Sequence, residues 1–321
     1  MTTTVEIGEA VKAGANVRPQ GGDLRAGDEV VAAGTRLGPA QLGALAAAGV
    51  AEVACGAVPR AAVLATGTEL RRPGEPLAPG EVYEANGLIL DAQLRSAGAS
   101  VERLAAVADD EDAHRDALAR GLEHDVLVTS GGVSVGPHDL VRAIEAELGV
   151  DEVFWRVAVK PGKPVSFGVR GRTLVFGLPG NPVSSLVGFE LFVRPAVMAL
   201  QGSRRPAAPV RAGEAGGCGQ AERRTRPAWC ARGREPGDDG AVELEPLAGQ
   251  ESHMIARAAG ADALVFLPRG EGELAAGSRC AISGSPEGGQ PCAEASGAAA
   301  SVREGARIDG APRGSICISR A

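Results

Sequence analysis

With 321 residues, 44% of them apolar and 23% charged, the chain has the composition of a soluble globular protein of two or three domains, one with a sizeable core. A net charge of −7 and an aromatic content of 3% supply neither a positive field nor stacking platforms, which argues against nucleic acid as the main partner. No basic stretch followed by an apolar run opens the sequence, and the apolar "LGALAAAGVAEV" is short and broken by Glu52, so neither a secretory signal nor a membrane partner is expected. The six cysteines make no C-x-x-C pair, which points to incidental thiols and to the cytoplasm as the default compartment.

Residues 13–58 read as short strands and turns, then a small helix "PAQLGALAAAG" with Pro39 near its start. From about residue 60 strands and helices alternate. "RAAVLAT" is a buried strand, "RRPGEPLAPGE" a turn-rich linker, and "ANGLILDAQLRSAG" an amphipathic helix stopped at Gly98. "SVERLAAV" is the next strand, "DEDAHRDALARGL" a helix with an acidic first turn, and "DVLVTSGG" a third strand. "HDLVRAIEAEL" places Leu140, Val141, Ile144 and Leu148 on one helical face; the strand "RTLVFGL" precedes a long helix from Pro182 to about Leu200. This alternation predicts an α/β fold: a three-layer, doubly wound, mostly parallel sheet followed by a small C-terminal β domain.

Beyond residue 202 the pattern changes. Eight arginines against two glutamates crowd "SRRPAAPVRAGEAGGCGQAERRTRPAWCARGR", with neither helical nor strand periodicity. "AVELEPL", "ADALVFLP" and "GSRCAIS" are candidate strands, and the Gly/Ser/Ala-rich stretch after 283 reads as disordered. The expected boundaries are 1–58 for an N-terminal linker and β region, 59–202 for the α/β domain, 203–283 for a β-barrel-like domain and 284–321 for a tail.

Ligands of open parallel sheets bind at the carboxyl ends of the strands, and three strands here end in suitable loops. "ATGTEL" leads into Thr66, Gly67, Thr68 and the carboxylate of Glu69. "TSGGVSVGPHD" offers Thr129, Ser130, Gly131 and Gly132, with Asp139 at the following helix start. In "GLPGNPVSS", Asn181 is a candidate helix cap, leaving free N–H groups and the Ser184 hydroxyl for an anion. Before the third loop lies "VAVKPGKPVSFG", with Lys160 and Lys163; these are two of only three lysines among 33 basic residues, and each precedes a proline. Compact ammonium charges on a stiffened loop suit a tetrahedral oxyanion, although two solvated surface charges would give the same spacing. Glu69 and Asp139 would repel an anion and are better suited to Mg²⁺ that screens a phosphate. Of the four histidines only His138 lies in such a loop, where a surface or helix-terminus role is expected. There is no P-loop and no dinucleotide fingerprint.

"NVRPQGGDLRAGDEVVAAGTRLGPAQLGALAAAGVAEV", "VLATGTEL", "TSGGVSVGPHDLV", "VAVKPGKPVSFG", "FGLPGNPVSSLVGFELFVRPAV" and "LEPLAGQESHMIARAAGADALVFLP" together resemble the molybdopterin molybdenumtransferase family, the MoeA and gephyrin E-domain family. The resemblance runs from about 13 to 202 and resumes from about 241 to 282. It implies insertion of molybdate into adenylylated molybdopterin with release of AMP, a Mg²⁺-dependent late step of molybdenum cofactor synthesis. Carried over, it makes Lys160, Lys163, Ser184 and Ser252 the molybdate set. Thr129, Ser130, Gly131, Gly132, Pro164 and Asn181 become contacts to the pterin nucleotide. Glu69 and Asp139 become the catalytic, metal-binding acids.

The chain also departs from the family pattern. The family's D-G-[FY]-A motif does not precede Val5, so an amino-truncated chain is expected, with the interface of a homodimer affected. Thr68 and Pro137 replace common acidic residues near the proposed Mg²⁺ site. Arg224 or Arg226 is the remaining candidate for a substrate-contacting arginine in 203–236, a stretch that reads, like the tail, as if out of frame. Competing expectations are a molybdopterin adenylyltransferase-like enzyme and a non-catalytic molybdopterin- or peptide-binding remnant.

Overall fold

The computed structural model describes residues 8, 10, 12–107, 110–132, 140–204, 210–215, 220–221, 226–233, 243–247, 251–261, 263–266, 272–273 and 278–284. The chain divides into two units, one running up to Cys55 and the other beginning at Gly56.

The first unit holds helix α1 (Pro39–Ala47), with proline at its first position and the Gln41 side chain accepting the Gly38 N–H at 3.1 Å. The short strands expected before it do not form among its described residues. Gly14, Gly21, Gly27 and Gly34 all take positive φ, so the chain turns before a strand can extend.

In the second unit the elements are β1 (Arg60–Ala65), β2 (Leu70–Arg71), β3 (Val82–Tyr83), α2 (Asn86–Ser96), β4 (Ser100–Arg103), α3 (Glu111–Gly121), β5 (Val126–Ser130) and α4 (Leu140–Glu147). Next come β6 (Asp151–Trp155), β7 (Val159–Lys160), β8 (Ser166–Arg170), β9 (Thr173–Leu178), α5 (Pro182–Gly188) and α6 (Arg194–Leu200). The central sheet has the order β4-β1-β5-β9-β8-β6. Its first four strands are parallel, whereas β8 and β6 extend it antiparallel. The sheet is therefore mixed, with a parallel centre as expected and an antiparallel edge.

Unbroken apolar runs in β1 and β5 reflect burial on both faces. Ala61, Val63, Val126 and Val128 pack with Leu90 and Leu94 of α2 and with Phe189, Val193 and Val197. The alternate residues Ala62, Leu64 and Leu127 pack with Leu118 of α3 and with Val141 and Ile144 of α4. Asp110 caps α3 by accepting the Ala113 N–H at 2.8 Å.

The predicted long helix is present over Pro182–Leu200 but contains a π segment at Phe189–Val193. Pro195 lacks an N–H and crowds the carbonyl four residues back, and the Arg194 N–H reaches five residues back to Phe189. The wide turn brings Arg194 against Glu190 in a buried bidentate pair, at 2.6 and 2.9 Å. Length and apolarity alone would suit this helix to a bilayer, but half of it is buried inside the unit.

After residue 202 come β10 (Val210–Ala215), β11 (Gln220–Ala221), β12 (Arg226–Gly233), β13 (Glu243–Pro246), α7 (Ile255–Ala258), β14 (Ala263–Phe266), β15 (Gly272–Glu273) and β16 (Ser278–Gly284). Strands over 210–215 and 226–233 correct the reading of 203–236 as lacking strand structure. Backbone pairing with distant strands formed them without an alternating apolar signal. The order β13-β10-β16-β14-β12 closes on itself because β13 also pairs with β12, which removes the free edges. The tail from 285 lies outside the described residues.

Candidate active site

Three of the predicted loops converge at the carboxyl ends of β1, β5 and β9. The Thr66 N–H donates to the Ser130 carbonyl at 3.0 Å, and the Gly131 N–H donates to the Leu178 carbonyl at 3.0 Å. Gly131 has φ +96, and a Cβ there would lie 2.6 Å from the Thr66 carbonyl oxygen. Glycine is thus required both for the backbone conformation and for the close approach of two strand ends. Gly180 sits on the other side, where a Cβ would be 3.8 Å from the Gly131 Cα.

Asn86, the first residue of α2, ties two of these loops together. Its Nδ2 donates to Ser130 Oγ at 2.8 Å and to the Gly180 carbonyl at 2.7 Å. Ser130 Oγ in turn donates to the Pro179 carbonyl at 3.3 Å. The sequence reading missed Asn86, taking "ANGL" only as a helix start; the available signal was an amide side chain at a helix N-terminus following a linker. Thr129 is fully buried and Ser130 nearly so, whereas Gly131 and Gly132 are half-buried. The two glycines therefore present the loop's accessible surface, with Thr129 buried behind them. Thr129 Oγ1 and Asn86 Oδ1 are buried without a hydrogen-bond partner among the described residues, which leaves polar capacity beside this surface.

At the third loop the structure corrects the expected capping. Asn181 occupies the cap position of α5, but its side chain makes no cap bond. Instead Asn181 Nδ2 donates to Ser252 Oγ at 2.9 Å, and the Ser252 carbonyl accepts the Val183 N–H at 2.9 Å. One of the N–H groups expected to be free is therefore taken by a residue about 70 positions later. Val183, Val187 and Leu264 cluster beneath this junction, with Ile255 and Ala258 of α7 packed against them. The hydrophobic effect so holds Ser252 at the helix start.

The lysine loop reaches the same place. Lys163's carbonyl accepts the N–H groups of Val157 at 2.9 Å and Val165 at 3.0 Å, and the Arg156 N–H donates to the Val165 carbonyl at 2.9 Å. These bonds fold 156–165 back on itself. Gly162 is buried at the tip, and a Cβ there would sit 3.4 Å from the Ser184 carbonyl oxygen. Lys160 and Lys163 are exposed, Pro164 is half-buried, and Ser184 is buried. β7 pairs in parallel with β12, with Val159 opposite Arg226 and Lys160 opposite Pro227. The register thus sets Arg226 beside the lysine loop; Arg224 lies outside the described residues.

Glu69 is exposed and folds back over Gly67, where a Cβ would lie 2.5 Å from Glu69 Oε2. Asp139, Pro137 and His138 lie outside the described residues, so the expected acidic pair is represented by Glu69 alone. Among the described residues no three His, Cys, Asp or Glu side chains gather as a metal cage.

Three family models match the chain. "MoeA N-terminal region (domain I and II)" covers residues 1–49, "Probable molybdopterin binding domain" covers 62–199, and "MoeA C-terminal region (domain IV)" covers 201–283. The Haemophilus influenzae "Molybdopterin molybdenumtransferase" is 32% identical over 280 residues, covering 87% of this chain and 69% of that protein. The chain belongs to the MoeA family.

Other MoeA-family relatives are similar over shorter stretches. The Mycobacterium tuberculosis "Molybdopterin molybdenumtransferase 2" is 38% identical over 65% of this chain and 53% of its own length. The Bacillus subtilis "Molybdopterin molybdenumtransferase" is 38% identical over 57% of this chain and 43% of its own. The chain thus spans between 43% and 69% of these curated relatives. A solved MoeA protein from Pyrococcus horikoshii superposes with a TM-score of 0.67 at 27% identity, over 82% of this chain and 64% of that one. The C-terminal match spans 201–283, so 203–236 falls within the stretch matched to the family's domain IV.

Proposed function

We propose that the chain is a molybdopterin molybdenumtransferase, which inserts molybdate into adenylylated molybdopterin and releases AMP. The observation that carries this reading is the junction at the start of α5. There the turn at Gly162, between the two lysines, comes close to the Ser184 carbonyl, and Ser252 from the following domain bonds to Asn181 and to the Val183 N–H. In this reading Lys160 and Lys163 attract the molybdate dianion, and the hydroxyls of Ser184 and Ser252 orient its oxygens. Because 156–165 is already folded by its own hydrogen bonds, little ordering entropy is lost on binding.

The pterin nucleotide lies over Gly131 and Gly132, with Ser130, Asn181 and Pro164 as flanking contacts and Thr129 as the wall. Asn86 is a positioning residue that fixes the spacing between the second and third loops. Glu69, a single exposed carboxylate at a strand end, fits a Mg²⁺ that is carried mainly by substrate phosphates, with Asp139 as its expected companion. When bound, the ion would neutralise charge on the pyrophosphate. The reaction would take place in the cytoplasm, and a homodimer is the expected assembly.

The test is AMP release from adenylylated molybdopterin with molybdate present, for the parent chain and for Lys160→Ala/Lys163→Ala. Molybdate-dependent release that falls at least about 100-fold in the double variant supports the assignment, the loss expected for interactions worth roughly 3 kcal/mol in the transition state. Release at the uncatalysed rate by the parent chain refutes it.

A further inference from the structure

Helix α2 packs against the helix that follows the third loop and is tied to it at three points. Asn86, at the start of α2, donates to the Gly180 carbonyl at 2.7 Å, and Gln201 Nε2 donates to the carbonyl of Ala97, which closes α2, at 2.8 Å. Between these ties Gln93, seven residues after Asn86 and so on nearly the same face of α2, meets the π turn. Its Nε2 donates to Glu190 Oε1 at 2.9 Å and to the Leu186 carbonyl at 3.4 Å. Both neighbours are acceptors, so only one orientation of the amide serves them. That orientation leaves Gln93 Oε1 buried without a hydrogen-bond partner among the described residues. An orphaned acceptor costs stability. An apolar side chain like those of Leu90 and Leu94 beside it would fill the seam without that cost, so what the amide adds is the hold of its N–H groups.

What those groups hold is the register of a helix. Gln93 bonds to the same Glu190 oxygen that accepts from Arg194 Nη2, so the amide and the buried ion pair form one network around the π turn. A π turn contains one more residue than the α turn it replaces. Closing it to an α turn, with Val193 and Val197 kept in the core, would rotate every residue before it by about 100° and move it outward by about 1.5 Å. That is the step from one residue to the next, and it would carry Ser185 to the place of Ser184. The two neighbours are not equivalent. Ser184 keeps 4% of its surface, whereas Ser185 keeps 0% and its hydroxyl has no hydrogen-bond partner among the described residues.

We propose that Gln93 is a positioning residue for the oxyanion site: with the Glu190–Arg194 pair it locks the π turn, and the locked register offers the hydroxyl of Ser184, not that of Ser185, to the anion. The inference rests on the reading of Ser184 as a molybdate contact. Gln93 acts through α5 and makes no contact with the anion itself. Its loss loosens the turn, so that α5 samples registers in which the Ser184 hydroxyl is misplaced, and anion affinity falls while the fold persists.

The experiment is calorimetric titration of the full chain with sodium tungstate, repeated on Gln93→Met, Ser184→Ala, Ser185→Ala and the double variant Gln93→Met/Ser184→Ala. Gln93→Met should bind about tenfold more weakly with an unchanged number of sites, and in the Ser184→Ala background it should cost less than about twofold more, since both substitutions act through one hydroxyl. Ser185→Ala should bind like the parent. A chain that is merely destabilised would instead show fewer sites at unchanged affinity. No saturable binding by the parent, or a Ser184→Ala variant that binds like it, refutes the reading of the site and this inference with it. Where both of those controls hold, the inference alone is overturned by any of three results: parent-like affinity in Gln93→Met, effects that multiply in the double variant, or a loss in Ser185→Ala as large as in Ser184→Ala. Should Gln93→Met fail to fold, Arg194→Lys, which keeps the cation but not the bidentate geometry, takes its place in the same comparison.

Discussion

Replacing Glu145 by glutamine should stabilise the protein, and by an amount that depends on pH. In the folded chain the carboxyl is held up at about 8, from an ordinary 4.5, first by burial and then by Glu152, with Arg142 acting in the opposite sense. The folded-state value lies above the unfolded one, so as pH rises the unfolded chain gives up this proton first. The native state is therefore penalised increasingly from about pH 4.5 to 8, and the penalty is constant above that. At roughly 1.4 kcal/mol per pH unit, the full cost is on the order of 5 kcal/mol. Glutamine keeps the shape and a hydrogen-bonding head but has no proton to lose. At about 2–4 °C per kcal/mol, thermal unfolding at pH 8.5 should show Glu145→Gln melting on the order of 10 °C above the parent, with the difference shrinking toward zero near pH 4.5. A difference that does not change with pH would refute the reasoning, because it would mean that Glu145 titrates alike in both states.

Gly131→Ala should destabilise by roughly 2–4 kcal/mol, read as a lowered melting temperature, because it adds a Cβ 2.6 Å from a backbone oxygen at a φ of +96; Gly180→Ala, whose Cβ would meet nothing closer than 3.8 Å, is the tolerated control. Asn86→Ala removes both ties between the second and third loops and should cost about 1–3 kcal/mol in urea unfolding. Ser252→Ala leaves the Val183 N–H bonded to the residue 252 carbonyl, so stability should change by less than about 1 kcal/mol while tungstate affinity, measured by calorimetry, falls several-fold. Arg194→Met leaves the buried Glu190 carboxylate without its cation, though still accepting from Gln93 Nε2 at 2.9 Å, and should cost roughly 3–5 kcal/mol, part of it recovered when Glu190→Leu is added.

Much of the α/β unit could be read from the chain because its signals are local. Apolar runs in β1 and β5, the 3.6-residue spacing in α2 and α4, and the acidic cap of α3 each need only near neighbours to be recognised. The strand-end loops were equally visible, since Gly131 and Gly132 take the positive φ of a turn that the glycine pair announces. The domain after residue 202 resisted that reading because its strands are partners of distant segments. β10 pairs with β16, and β12 with β14, so their pairing is fixed by contacts some 30 to 70 residues away rather than by periodicity. The helix over 182–200 was found, but its π turn was not, since the effect of Pro195 on the hydrogen-bond ladder competes with the burial of Glu190 and Arg194.

By itself, the sequence determined which loops are candidates for a site: glycines, hydroxyls and two lysines at strand ends single them out through residue type. Only the tertiary structure decided how those loops share one site. Ser252 bonds to the start of α5, Asn86 spans two loops, and β7 crosses into the second sheet, in each case between residues far apart in the chain. The buried Glu145 is the sharpest instance. In sequence it is one acid on an amphipathic helix, and only the packing of α4 against β6 and β8 removes its water and leaves its Oε1 without a hydrogen-bond partner among the described residues.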